Sequence, residues 1–220
     1  MPKRERQPYV ATFSIVAFEP RSESWGVAVQ SRFLAAGAVV PWSRAGVGAV
    51  ATQAFANPRF GPLGLSLLAQ GLAADEVVAS LIAGDGGRAM RQLAVVDARG
   101  GAAAFTGEEC LPWAGHLTRD GFTCQGNILA GPAVVAEMAG AFESNASLEL
   151  PERLAAVLEA GQAAGGDARG QQSAGLLVVR AGGGFAGYSD RVVDLRVDDH
   201  TAPIAELARL LRLHRELHGG

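Results

Sequence analysis

The order in which the apolar runs follow one another constrains this chain most. Short β-prone runs occur in hairpin-like groups, and each group is followed by a stretch with helical spacing. TFSIVAF (12–18) and WGVAVQS (25–31) flank the turn-rich EPRSES and predict a β-hairpin. AGVGAVATQA (45–54) suits a strand buried on both faces, and NPRFGP (57–62) ends it. From 63 to 82 the apolar period becomes helical, with Leu67, Leu68, Val77, Val78, Leu81 and Ile82 on a shared face and Gly71 dividing two helices. QLAVVD (92–97) and AAAFTG (102–107) predict a second hairpin, and FTCQGN (122–127) a third short strand running into a Gly-Asn turn. Pro132 and Pro151 each open a helix, the first carrying Val135, Met138 and Phe142, the second Leu154, Val157 and Leu158. After a Gly- and Asp-rich loop (161–170), SAGLLVVR (173–180) is a strand, GFAGYS and VVDLRV extend the sheet, and 203–217 is a closing helix. Strict βαβα alternation would signal a doubly wound parallel sheet; grouped hairpins between helix pairs predict an α+β fold of antiparallel sheets covered by helices.

With 220 residues, 49% hydrophobic and 19% charged, the chain can bury a full core. The expected organisation is an N-terminal extension over 1–11 and a single domain over 12–220. A net charge of −3 and the lack of a dense arginine cluster argue against a nucleic-acid partner. The uncharged stretches at 60–74 and 121–136 are shorter than a bilayer span and carry Gly and Pro, so no membrane segment is expected. Cys110 and Cys124 have neither metal-ligand nor redox spacing. A cytoplasmic setting and homo-oligomerisation are expected on these general grounds. Lys3 is the one lysine, so from residue 12 onward Schiff-base chemistry, a P-loop lysine and a lysine general base are excluded.

Neither HExxH nor a GxSxG elbow occurs. Asp198, Asp199 and His200 read either as metal ligands or as loop and capping residues before the last helix, the latter being the expectation. No cofactor and no metal is expected. Cys124 lies in an apparent strand, as a core residue rather than a nucleophile. Asp167, Arg169 and Gln172 either form a loop network that positions Ser173 or line a site. The first strand is more informative: Thr12 opens an apolar strand, and the second strand of its hairpin ends in Ser31-Arg32.

That pattern resembles the N-terminal nucleophile (Ntn) hydrolases. The segments TFSIVA, WGVAVQSRFLAAGAVVPWSRAGVGAVATQA, NPRFGPLGL, RQLAVVD, CLPWAGH, QGNILAG, EAGQAAGGDARGQQSA and LRVDDH are together similar to one bacterial family of that superfamily, a domain of unknown function. The resemblance implies a four-layer αββα sandwich and hydrolysis of a C–N amide bond in a small-molecule substrate. In the superfamily the first residue of the mature chain attacks, and its own α-amine is the base; here that residue would be Thr12. A threonine hydroxyl needs such a base, and an α-amine titrates near 7.7–8.0, close to cellular pH. The resemblance also implies an oxyanion hole of main-chain N–H groups and an asparagine side chain, for which Gly126-Asn127 is the best match, with Gly37 or Gly48 as further donors. Ser31, Arg32 and Arg44 are the substrate-binding candidates, the arginines as forks for a substrate carboxylate. Eleven residues precede Thr12, so the mechanism requires cleavage of the Ala11-Thr12 bond. Two other readings remain: a catalytically silent small-molecule-binding or assembly protein of the same fold, and an internal nucleophile, Ser173 or Cys124.

Overall fold

A computed structural model describes residues 12–218; the expected extension, 1–11, lies outside them. The chain is an α+β protein. Its strands are β1 (Thr12–Glu19), β2 (Ser24–Ser31), β3 (Pro41–Arg44), β4 (Gly48–Ala54), β5 (Arg91–Asp97), β6 (Ala102–Thr106), β7 (Gly115–Arg119), β8 (Phe122–Gly126), β9 (Ser173–Val179) and β10 (Arg191–Val197). Its helices are α1 (Phe60–Ala69), α2 (Ala74–Ala83), α3 (Ala133–Ser144), α4 (Leu150–Ala163) and α5 (Pro203–His218). Two antiparallel sheets result, one in the order β10-β9-β2-β1-β8-β7 and the other β3-β4-β5-β6.

Side-chain alternation assigns each strand face to a core. On β1, Phe13, Ile15 and Ala17 pack with residues of α3, α4 and α5, among them Met138, Leu154 and Leu207. The opposite face carries Val16, which joins Val27, Val29 and Leu177 of its own sheet against Ala49, Ala51, Ala94 and Val96 of the other. The outer face of the smaller sheet, with Val50, Leu93 and Val95, packs on Phe60, Leu68 and Val77 of α1 and α2. The packing order is therefore helices, sheet, sheet, helices. Each fully buried large apolar side chain contributes about 1.5–3 kcal/mol.

The β1–β2 and β5–β6 hairpins form as expected, in registers running from Thr12 opposite Ser31 and from Gln92 opposite Thr106. Other features differ. GFAGYS does not extend the sheet: residues Phe185–Gly187 form a 3₁₀ turn in which Ala186 takes a positive φ of 50°, and the Gly184 N–H closes locally on the Ser189 carbonyl at 2.7 Å. α1 begins at Phe60, ahead of Pro62, because a first-turn proline loses no helical hydrogen bond. β7 was not expected. It pairs with β8 through a two-residue Asp120-Gly121 turn, with Arg119 opposite Phe122 and Gly121, the second central residue, at the positive φ of 80° that glycine accommodates.

Candidate active site

At one end of the molecule the layer between the sheets changes from apolar to polar. Thr12 and Ser14 continue the face of β1 that carries Val16, Ser31 continues the face of β2 that carries Val29, and Ser173 the face of β9 that carries Leu177. Register places Ser31 opposite both Thr12 and Ser173, so three hydroxyl residues form one row across adjacent strands, all fully buried. Opposite them the smaller sheet contributes Gln53 and Gln92, also fully buried.

These groups form one network. Gln92 Nε2 donates to the Gly126 carbonyl at 2.8 Å, the Gly115 carbonyl at 3.0 Å and Thr106 Oγ1 at 2.9 Å. Its Oε1 accepts from Gln53 Nε2 at 2.8 Å and from Asn127 Nδ2 at 3.0 Å. Gln53 in turn donates to the Thr12 carbonyl at 3.4 Å and accepts from Ser14 Oγ at 2.6 Å. Gln125 Nε2 donates to Ser14 Oγ at 2.7 Å. The backbone N–H of Asn127 donates to the Thr12 carbonyl at 3.0 Å, which sets Asn127 directly beside Thr12. At the outer end Thr106 Oγ1 meets His116 Nδ1 at 2.9 Å, and burial lowers the pKa of that imidazole.

Beside this row the Asp167 carboxylate, with no exposed side-chain surface, gathers the neighbouring loops. It accepts from the Arg32 N–H at 3.2 Å, from the Arg169 N–H and Nε at 2.9 and 3.1 Å, and from Arg169 Nη2 at 2.8 Å. Arg32 Nη1 donates to the Gln171 carbonyl at 2.8 Å, and its exposed guanidinium keeps further donors. Ser173 Oγ donates to the Phe33 carbonyl at 2.6 Å and accepts from the Ala36 N–H at 3.0 Å, holding the segment that carries Arg32 across the end of β9. The hydroxyl proposed as an internal nucleophile is thus committed on both sides.

Thr12, Ser31, Arg32, Gly126 and Asn127 come together here. Gly126 faces Phe13 in register, and a Cβ on it would stand 2.4 Å from Leu129 Cδ1, so close packing requires its glycine. Arg44 does not join them: it pairs with Gly48, which pairs with Asp97, whose carbonyl accepts from Trp25 Nε1 at 3.0 Å. Trp25 is the second residue of β2 and Ser31 the last, so Arg44 and Gly48 lie at the opposite end of the sandwich. About 20 Å of strand separates the two ends, and one small substrate could not touch both arginines. Gly37 packs backbone to backbone on β9, its Cα 2.8 Å from where a Cβ on Gly175 would be. Cys124 faces the helical layer, and burial together with the Glu143 charge raises its pKa far above that of a free thiol. Among the described residues no His, Cys, Asp and Glu form a group that could hold a metal; His200 Nδ1 instead accepts the Ala202 N–H at 3.0 Å, at the start of α5.

Gln53, Gln92 and Gln125 were not singled out in the sequence. The available signal was a carboxamide at an inward position of each apolar strand, in ATQA, RQLAVVD and FTCQG.

The class defined by this fold and site is a two-sheet α+β protein with a polar cluster between the sheets at the first residue of its first strand. The family described as "Family of unknown function (DUF1028)" matches residues 12–207, and the chain belongs to it. The crystal structure of protein SPO2555 from Silicibacter pomeroyi, assigned to the same family, is similar, with a TM-score of 0.85 and 33% identity over 93% of this chain and 86% of that one. No curated protein matches the chain. Among the described residues no helix is long and apolar enough to cross a membrane.

Proposed function

We propose that the chain is an amide hydrolase of the N-terminal nucleophile type, a reading supported by its helix-sheet-sheet-helix order, the order expected of an αββα sandwich. In this reading Thr12 Oγ attacks the carbonyl carbon of a small-molecule amide while the Thr12 α-amine takes the hydroxyl proton. Collapse of the tetrahedral adduct breaks the C–N bond, releases the amine with that proton and leaves an ester on Thr12, which water hydrolyses. Arg32 binds a carboxylate on the substrate. The observation that carries the reading is the clamping of the Thr12 carbonyl by Asn127 and Gln53 inside a polar cluster, at the end of a layer that is otherwise apolar.

A mature chain beginning at Thr12 is the direct test. Intact-mass measurement and N-terminal sequencing of protein from the native host are expected to show it, and T12A is expected to lower amide hydrolysis by about a thousandfold or more. A retained Met1 or Pro2 in an active protein would exclude the mechanism. One observation favours the second reading, a non-catalytic binding or assembly protein: Thr12 is fully buried. That reading predicts that T12A leaves small-molecule binding intact and that no amide is turned over.

A further inference from the structure

The orientation of Gln92 and Gln53, and through Gln92 that of Asn127, follows from the backbone carbonyls that the glutamines meet. The two carbonyls at 2.8 and 3.0 Å from one end of the Gln92 side chain, those of Gly126 and Gly115, can only accept, so that end is the NH₂ group. Its Oε1 therefore faces Gln53 and Asn127. Gln53 is fixed independently, since its nitrogen also meets the Thr12 carbonyl. With Gln92 locked, Asn127 has to turn Nδ2 toward Gln92 Oε1, because the reverse would set two carbonyl oxygens against each other. The consequence falls on the remaining atom: Asn127 Oδ1 is buried and has no hydrogen-bond partner, although the residue is fully buried and its own N–H sits on the Thr12 carbonyl. A buried carbonyl oxygen without a partner is unfavourable by about 1–3 kcal/mol.

We infer that Asn127 Oδ1 is the acceptor for an N–H group of the ligand, and that Gln92 is the positioning residue that holds it in that sense. The site then selects acyl compounds bearing an N–H, such as secondary amides and ureides, over the corresponding esters, whose oxygen would oppose Oδ1. This deepens the hydrolase reading and rests on it for where the ligand lies relative to Thr12. It also changes the part expected of Asn127: one Nδ2 hydrogen is spent on Gln92, and the side chain contributes an acceptor as well as a donor.

The test compares N-acetylglycine with acetoxyacetate, which differ by N–H against O. Ligand-observed NMR on protein isolated from the native host gives both affinities, and mass spectrometry after quenching reports any acyl adduct on Thr12. N-acetylglycine is expected to bind about ten- to a hundredfold more tightly. N127L, which removes the acceptor, should abolish the difference. Equal affinities, or binding of neither compound, would overturn the inference, as would a preference that survives in N127L. A preference without any adduct on Thr12 leaves the acceptor standing and removes the hydrolase reading; an adduct without a preference does the reverse.

Discussion

A buried side chain with two chemically different ends is oriented by neighbours that cannot change role. Backbone carbonyls do this for Gln92 and Gln53, and the two glutamines pass the constraint to Asn127. The thiols show the opposite case, groups silenced by their surroundings. Burial pushes the Cys110 pKa up to about 11, against the lowering effect of the Gly107 N–H, and the wholly buried Cys124 rises further. The thiolate is the reactive form. In native protein at pH 8 neither cysteine should be alkylated by iodoacetamide within an hour, and both should react in denaturant, counted by intact mass. A Cys124 that labels at the rate of a free thiol would reopen its candidacy as nucleophile. At this scale Thr12, Ser31, Arg32 and Asn127 were legible because each stands at the end of a strand, or one residue past it, and the pattern of those strands is plain in the sequence. Gln53 and Gln92 were not, since nothing local says which face of a strand meets the other sheet.

Elements were legible where their period was long or their turn chemistry strong. The β1–β2 hairpin and the helices opened by Pro132 and Pro151 follow from alternation and from first-turn prolines. β3 was not, at four residues and with proline first, a position strands tolerate. Its role becomes plain only through packing, because Trp42 lies under α1. A Cβ added to Gly61 would stand 2.1 Å from Trp42 Cδ2, while the indole N–H donates to the Val39 carbonyl at 3.0 Å. G61A is therefore expected to push the ring out of place and destabilise the protein by about 1–3 kcal/mol, despite the better helix propensity of alanine. Urea unfolding followed by tryptophan fluorescence would show it; unchanged or increased stability would mean that the helix can lift off β3 without loss.

Across the whole molecule, ion pairs stand at both ends of the sandwich, Asp167 with Arg169 beside the Thr12 row and Glu19 with Arg153 at the far end. Glu19 closes β1, its side chain 6% exposed, and meets Arg153 of α4 at 3.1 Å and Arg21 at 3.0 Å, while the Arg153 guanidinium stacks 3.5 Å from the Phe142 ring centre. Burial alone would raise the Glu19 carboxyl, but the hydrogen bonds from Arg21 and the charges of Arg21 and Arg153 outweigh it and hold the pKa below the ordinary glutamate value. Asp85 is lowered likewise, chiefly by the hydrogen bond from Arg91. A carboxyl lowered in the folded state contributes stability that is present above its unfolded pKa, about 4, and is lost as pH falls through the folded value. His116 acts in the same direction from higher pH, because burial favours its neutral form and protonation begins to disfavour the fold below about 6.5. The midpoint of thermal unfolding, followed by circular dichroism, should therefore decline below pH 6.5 and more steeply below about 4. E19Q should lower it at pH 7 and flatten the acid limb; an unchanged limb would remove Glu19 as a cause.

The sequence by itself determined the α+β class, the hairpins, the helix pairs, and the placing of Thr12, Ser31 and Asn127 at strand ends, because periodicity, turn residues and prolines act over a few positions. Only the tertiary structure decided that Arg32 joins Thr12 while Arg44 lies at the other end, that Ser173 Oγ is committed to a loop, and that Asn127 presents an acceptor. Those outcomes depend on the register between strands far apart in the chain and on which face of one sheet meets the other. The free energy that fixes them comes from burying the layer between the sheets, to which no single segment contributes alone.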